Sequence, residues 1–175
     1  MPFRVEAVAV FSNPTAAPLD AGDISLRALS ELWFDEVFAM VNDPHSAALT
    51  GTKKKFSEAE IRSWLATRRS QLDRCDWAIL DNESGEFAGE VVLNEYNPER
   101  NSMNVRIALA GTRWFDRGIG TAALDAVLTF AFDSMQLAKV TLSVLVDNPR
   151  AIRVYQKLGF QTGRQYADAG LRYQR

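Results

Sequence analysis

Asp116-Arg117-Gly118-Ile119-Gly120-Thr121-Ala122 joins a run of strand-forming residues, Met103–Ala110, to a segment of helical periodicity, Gly118–Met135. Gly118 and Gly120 carry no Cβ, so a ligand can approach their backbone closely. The first N–H groups of a helix lack internal partners, and its dipole is positive there, so this turn suits a phosphate. Taken alone, the same residues also describe a flexible loop ahead of a helix. Gly118-x-Gly120-x-x-Ala123 further satisfies a dinucleotide fingerprint. That fingerprint needs its glycines at the strand end, whereas Ala110–Arg117 intervene here. It also needs an acid at the end of the next strand; Asp133 comes too early and Asp147 late. A P-loop is excluded, since no Gly-Lys-Ser/Thr follows.

Outward from this turn the chain alternates strands and helices. On the N-terminal side, Phe87–Asn94 and Met103–Ala110 predict an antiparallel hairpin around Asn97-Pro98, and Asp76–Leu80 predicts a strand before it. Ser57-Glu58-Ala59-Glu60 is a capping box opening a helix over Glu58–Leu72. Asn42-Asp43-Pro44 stops an earlier helix, Ser30–Val41, and His45–Lys55 reads as a loop. Ile24–Leu29 predicts a strand. On the C-terminal side, Leu124, Leu128, Phe132 and Met135 recur at helical spacing. Lys139–Val146 has high β-propensity. Pro149 opens a helix that ends at Gly159, and the tail Phe160–Arg175 adds one more strand at most. The order β-α-α-β-β-β-α-β-α-β is a mixed α/β pattern (α+β, with an antiparallel centre). The segment Met103–Val146 forms a right-handed strand–helix–strand crossover within it.

Composition narrows the function classes. The 175 residues are 47% hydrophobic and 24% charged, with a net charge of -2, which fits one compact domain and provides no basic field for nucleic acid. One cysteine, Cys75, excludes an internal disulfide and any C-x-x-C metal or redox motif, consistent with a cytoplasmic protein. No run of about 18 apolar residues is present to span a membrane, and no metal site is expected.

A second motif lies downstream. Asn148-Pro149-Arg150-Ala151-Ile152-Arg153-Val154-Tyr155-Gln156-Lys157-Leu158-Gly159-Phe160 follows a strand, carries a tyrosine seven positions after its asparagine, and ends in Gly-Phe. Arg117-x-x-Gly120-x-Ala122 resembles the acetyl-CoA signature of GNAT N-acetyltransferases, Gln/Arg-x-x-Gly-x-Gly/Ala, and the downstream segment is similar to the second GNAT motif. The spacing leaves room for one helix and one strand between them. The resemblance covers about Asp23–Gly163, most closely the branch of ribosomal-protein N-terminal acetyltransferases (RimJ/RimL type).

That resemblance implies a single GNAT domain over residues 23–175, with two parallel strands, Met103–Ala110 and Lys139–Val146, splayed around the pantetheine arm. It places the pantetheine and thioester contacts at Ile107, Ala108 and Leu109. It places the pyrophosphate on the N–H groups of Arg117, Gly118, Ile119, Gly120, Thr121 and Ala122. Arg117 could add charge there or simply be solvated. Asn148 could bind the cofactor amides, cap its helix, or do both. Tyr155 is the implied acid for the departing thiolate, although Ile152, Tyr155 and Leu158 also form an apolar stripe. The implied activity is acetyl transfer from acetyl-CoA, as co-substrate, to a primary amine by direct attack, because no cysteine lies near either motif.

The base is not supplied in the usual way. Many relatives use a glutamate at the position matching Asn104, which cannot accept the proton. Glu90 and Glu95 are substitutes, and Glu90 could instead pair with Arg106 across the hairpin. His45 lies far in sequence from both motifs. Lys53–Lys55 could draw an acidic acceptor or be a solvated run, and Trp33, Trp64, Trp77 and Trp114 read as packing residues. Two other function classes remain open at this point: an acyl-CoA-binding module without turnover, and a nicotinamide-dependent enzyme.

Residues 1–22 precede the matched region and include a strand-like stretch, Phe3–Phe11, while the tail is shorter than in relatives. The front segment is therefore expected to supply a sheet edge, in its own chain or in the partner of a homodimer. Deleting residues 1–20 should then lower the melting temperature or change the elution volume on size exclusion. Unchanged values in both would remove the idea.

Overall fold

The computed structural model describes residues 17–165 and 170–174. The expected strand Phe3–Phe11 lies outside that range. The described chain forms one mixed sheet of eight strands: β1 (Leu19–Ala21), β2 (Ile24–Ala28), β3 (Cys75–Asp81), β4 (Phe87–Asn97), β5 (Ser102–Leu109), β6 (Lys139–Leu145), β7 (Gln161–Gln165) and β8 (Gly170–Gln174). Their spatial order is β1-β2-β3-β4-β5-β6-β8-β7, and every neighbouring pair is antiparallel except β5 and β6.

Alternation along the strands sorts side chains onto two faces. One face carries Trp77, Ile79, Val91, Leu93 and Val105 beneath helix α4 (Ile119–Thr129) and helix α5 (Pro149–Lys157). The other carries Ala78, Leu80 and Ala108 beneath α1 (Phe34–Asn42) and α3 (Glu58–Thr67). This second face also bears Asp76, Glu90 and Arg106, so its apolar cover is interrupted by charge.

The elements differ from the expectations in four places. Residues 18–22, ahead of the first strand expected in the domain, contain the edge strand β1, with Leu19 opposite Leu26 and Ala21 opposite Ile24. His45–Lys55, expected as a loop, begins with helix α2 (Pro44–Thr50). Asp43 accepts a hydrogen bond from the Ser46 N–H, and Pro44 occupies the first turn, so the stop signal of α1 is also a start signal. The long helix after the glycine turn leaves α geometry at Phe130 and closes with a π-helical turn, Phe130–Ser134. The tail forms two strands rather than one, with β8 inserted between β6 and β7. The capping box at Ser57 is present in both directions: the Glu60 N–H donates to the Ser57 hydroxyl, and the Ser57 N–H donates to the Glu60 carboxylate.

Two backbone features prepare the site. The parallel pairing of β5 with β6 lasts only from Ser102–Lys139 to Asn104–Thr141, after which the strands separate. On the other side of β5, Gly89 of β4 lies opposite Leu109 at φ 153°, and a Cβ there would sit 2.2 Å from the Ala108 carbonyl oxygen. That contact is with backbone and cannot be relieved by a side-chain rotation. Gly89→Ala should therefore cost about 2 kcal/mol or more of unfolding free energy in urea titration. A loss within experimental error would show that the strand pair can yield.

Candidate functional site

The separation of β5 from β6 opens a groove of about 500 Å³. Its walls include Val105–Leu109 of β5, Ser143–Leu145 of β6, the turn residues Trp114–Asp116 and Gly118–Thr121, and Asn148, Arg150, Ala151, Val154 and Tyr155 around the start of α5. The Ala110 N–H donates to the Ala88 carbonyl. Because hydrogen-bonded and non-bonded pairs alternate in an antiparallel ladder, Ala108 and Arg106 spend their backbone groups on β4, while Val105, Ile107 and Leu109 turn theirs toward the groove. The Leu109 carbonyl accepts from the Gly111 N–H, which leaves its N–H. Of the three positions expected to pair with a pantetheine arm, Ile107 and Leu109 thus present backbone to the groove. Ala108 does not, because its N–H and C=O belong to the β4 ladder.

The glycine turn lies at the groove mouth. Asp116 and Gly118 both adopt positive φ, 57° and 78°, which folds the chain back before α4 begins. No side chain caps α4, so the N–H groups of Ile119, Gly120 and Thr121 have no intrahelical partner. Of two neighbours expected to join them, Ala122 spends its N–H within the helix and Arg117 is not part of the groove wall. The Ala122 N–H donates to the Gly118 carbonyl, and Ala122 packs against the core. The Arg117 guanidinium lies over Trp114 and pairs with Asp81 at 3.4 Å, turned away from the groove wall. Arg150 holds the basic position on that wall instead. Its guanidinium rests 3.4 Å from the centre of the Phe115 ring and 3.8 Å from Asp116. An arginine two residues after the motif asparagine was the available signal, but only the fold shows which way it points.

Asn148 lines the groove and also caps α5, its Oδ1 accepting from the Ala151 N–H at 3.2 Å. Its acceptor is therefore committed, and the Nδ2 donor is what it can offer a ligand. Tyr155 lines the same groove from the second turn of α5, with its ring edge-on to Phe160. Burial pushes its phenol up to about 12, so it carries its proton throughout the neutral range.

A second cavity, about 350 Å³, lies on the opposite face of the sheet between α1, α2, α3 and the β4–β5 pair. Its walls are mostly apolar, with Met40, Val41, Phe56, Ile61 and Trp64 contributing. Trp64 packs along one wall of this space. Ser46, Thr50, Glu90, Arg106 and Ala108 border both cavities, so the two spaces meet at Glu90. Helix α2, absent from the sequence reading, supplies Ser46 and Thr50 to that junction.

Glu90 lies opposite Ala108, and Arg106 lies opposite Val92, so the expected direct cross-strand pair does not form. Glu90 and Arg106 are diagonal neighbours on one face, and no ion pair joins them among the described residues. The Glu90 Oε2 is buried without a hydrogen-bond partner. Burial, then the nearby Asp76 carboxylate, raise its pKa to about 7 against the pull of Arg106, Arg74 and Arg68. Asp76 itself is held by Arg74 through bonds of 2.8 and 2.6 Å. The other acid candidates are elsewhere. Asn104 donates to Asn94 at 2.9 Å and borders neither cavity, and Glu95 is exposed at φ 57°. His45 packs against Phe115, and Lys54 pairs with Glu60 and lies over Phe56. Cys75 is buried away from both cavities, its thiol pushed up to about 12 by burial. Among the described residues no cluster of acids, histidines and cysteines could hold a metal.

This geometry is that of a known family. The sequence model of the acetyltransferase (GNAT) domain matches residues 23–161, and the chain belongs to that family. It is 26% identical over 134 residues to an N-acetyltransferase 9-like protein of Caenorhabditis briggsae, covering 69% of this chain and 66% of the relative. It is 29% identical over 87 residues to the L-amino acid N-acetyltransferase AaaT of Escherichia coli (strain K12), covering 47% and 54%. The matches thus span less than two thirds of either relative. The fold superposes with a TM-score of 0.77 on a Vibrio cholerae protein provisionally assigned as a ribosomal-protein-serine acetyltransferase, at 18% identity, covering 94% of this chain and 99% of that one. It superposes with a TM-score of 0.78 on the Vibrio cholerae spermidine N-acetyltransferase in complex with CoA and spermine, at 18% identity, covering 87% and 94%.

Glu90 gives a stability test with a defined sign. Its folded pKa, about 7, exceeds its ordinary value of 4.5, so folding favours the protonated form. Below the ordinary value the group is neutral in both states and costs nothing. As pH rises from there toward the folded value, folding loses stability, and the loss is complete above it. Glu90→Gln should therefore raise the melting temperature at pH 8 and leave it nearly unchanged at pH 4. A gain independent of pH would show that Glu90 is not desolvated.

Proposed function

We propose that this chain is an N-acetyltransferase that moves the acetyl group of acetyl-CoA to a primary amine by direct attack in a ternary complex. The observation that carries the proposal is the meeting of two cavities at Glu90, one lined by open strand backbone and an uncapped helix start, the other by an apolar pocket. In this reading the first cavity takes acetyl-CoA. The N–H groups of Ile119, Gly120 and Thr121 receive the pyrophosphate, with Arg150 adding charge. Ile107, Leu109 and the Asn148 amide donor hold the pantetheine arm, and an N–H of β5 polarises the thioester carbonyl.

The second cavity takes the amine. The ammonium gives a proton to Glu90, whose pKa near neutrality suits that exchange. The free nitrogen attacks the thioester carbon, a C–N bond forms, and the C–S bond breaks. Tyr155 gives its proton to the departing thiolate, and the second proton of the attacking nitrogen, lost as the amide forms, restores the phenol. Cys75, buried and protonated, does not carry the acetyl group, which favours direct transfer over a covalent intermediate. Residues 23–175 are read as one acetyltransferase domain, with residues 1–22 an extension ahead of it, in a cytoplasmic protein. The likeness to the provisionally assigned ribosomal-protein acetyltransferase supports the RimJ/RimL-like branch.

A second reading, an acyl-CoA-binding module without turnover, draws on one observation: the position matching the common family base is Asn104, which is bonded to Asn94. Thiol release with a panel of amines separates the two. With turnover, Tyr155→Phe should lower kcat about 100-fold or more while acetyl-CoA affinity by calorimetry holds, and kcat/KM should rise through about pH 7 in wild type but not in Glu90→Gln. Tight acetyl-CoA binding with no thiol release from any amine would favour the binding module.

A further inference from the structure

Arg106 is exposed, borders both cavities, and makes no ion pair or hydrogen bond among the described residues. It stands on the same face of the sheet as Glu90, one diagonal step away. Such neighbours are separated by about 7–8 Å at the backbone. The junction therefore presents one uncommitted guanidinium beside one carboxylate oxygen that is buried and unbonded. Among the described residues, the only other carboxylate on the second cavity's wall is Glu60, which is already occupied by Lys54 and by Ser57.

We infer that the acceptor is a zwitterion, an α-amino acid with an apolar side chain, whose amine meets Glu90 and whose carboxylate is gripped by Arg106. The charges set this choice. A guanidinium presents a planar fork of donors that matches a carboxylate in two parallel bonds. An ammonium and a carboxylate on one carbon match the Glu90–Arg106 pair in sign, and the two side chains share one face of the sheet. A polyamine matches neither, since its further cations would face Arg106 with Glu60 already neutralised. The side chain of the acceptor enters the space between Met40, Phe56, Ile61 and Trp64, where burial of apolar area favours leucine, methionine or phenylalanine over serine or aspartate. Arg106 here is a specificity residue; the proton and bond changes are those of the reaction above. The inference rests on the acetyltransferase reading of the same site.

The test compares L-leucine, L-leucinamide and spermidine in the thiol-release assay with acetyl-CoA, alongside calorimetric titration of leucine and leucinamide into the protein with CoA. Leucinamide keeps the amine and the side chain and removes only the anion. The free acid should exceed the amide in kcat/KM, and in affinity, by about tenfold or more, the scale of one charge-assisted bond. Arg106→Gln should bring the acid-to-amide ratio to about one, and Arg106→Lys should keep part of it. Amide or spermidine turning over as well as leucine, or an acid-to-amide ratio unaltered in Arg106→Gln, would overturn the inference and leave the acetyltransferase reading standing. Acetyl-CoA binding without thiol release from any of the three would instead count against that reading, and the titrations would still report whether the carboxylate is recognised.

Discussion

The hydrogen-bonding between β5 and β6 stops after three residue pairs, and most of the site follows from that interruption. A sheet that continued to pair would consume the N–H and C=O groups of Val105, Ile107 and Leu109. Because the strands part, those groups remain polar, aligned and near the surface, where a buried donor without a partner would otherwise be costly. The glycine turn and α5 then flank the opening at its two ends. The fold thus holds an unfinished stretch of ladder that an extended, amide-bearing ligand can complete.

Placing a carboxylate at the bottom of this opening requires β4 to lie close to β5. Gly89 permits the close approach, and the next residue, Glu90, emerges on the face away from α4. That face carries a charged strip, Asp76 with Arg74, then Glu90, then Arg106, under an otherwise apolar cover of helices. The strip costs stability at Glu90, whose Oε2 has no partner within the chain. Such a cost persists only where the surrounding fold holds the group in place.

Much of the fold could be read in the sequence because its signals were local. The capping box at Ser57, the periodic leucines of α4, and Pro149 before α5 each act within a few residues, and each element formed close to where it was expected. The two motifs also placed Gly118, Ile119, Gly120, Thr121, Asn148 and Tyr155 on one groove. What could not be read depended on register and on direction. Whether Glu90 meets Arg106 or Ala108 is a matter of two residues' slip in a hairpin whose register also shifts between Asn94 and Asn97. That Arg117 turns to Asp81, and Arg150 to the groove, goes with their contacts to Trp114 and Phe115, which adjoin the glycine turn but belong to neither signature. Helix α2 was hidden because Asp43-Pro44 reads equally as an ending and a beginning.

Helix α2 spans the mouth of the fork, touching both β5 and β6, with Gly51 at its end set against the Leu145 side chain. A wedge lodged between diverging arms fixes how far apart they stand. The bulk of Ser46, Leu49 and Thr50 therefore bounds the clearance between the two strands. Small changes in these side chains would widen or narrow the groove without touching Glu90 or Tyr155.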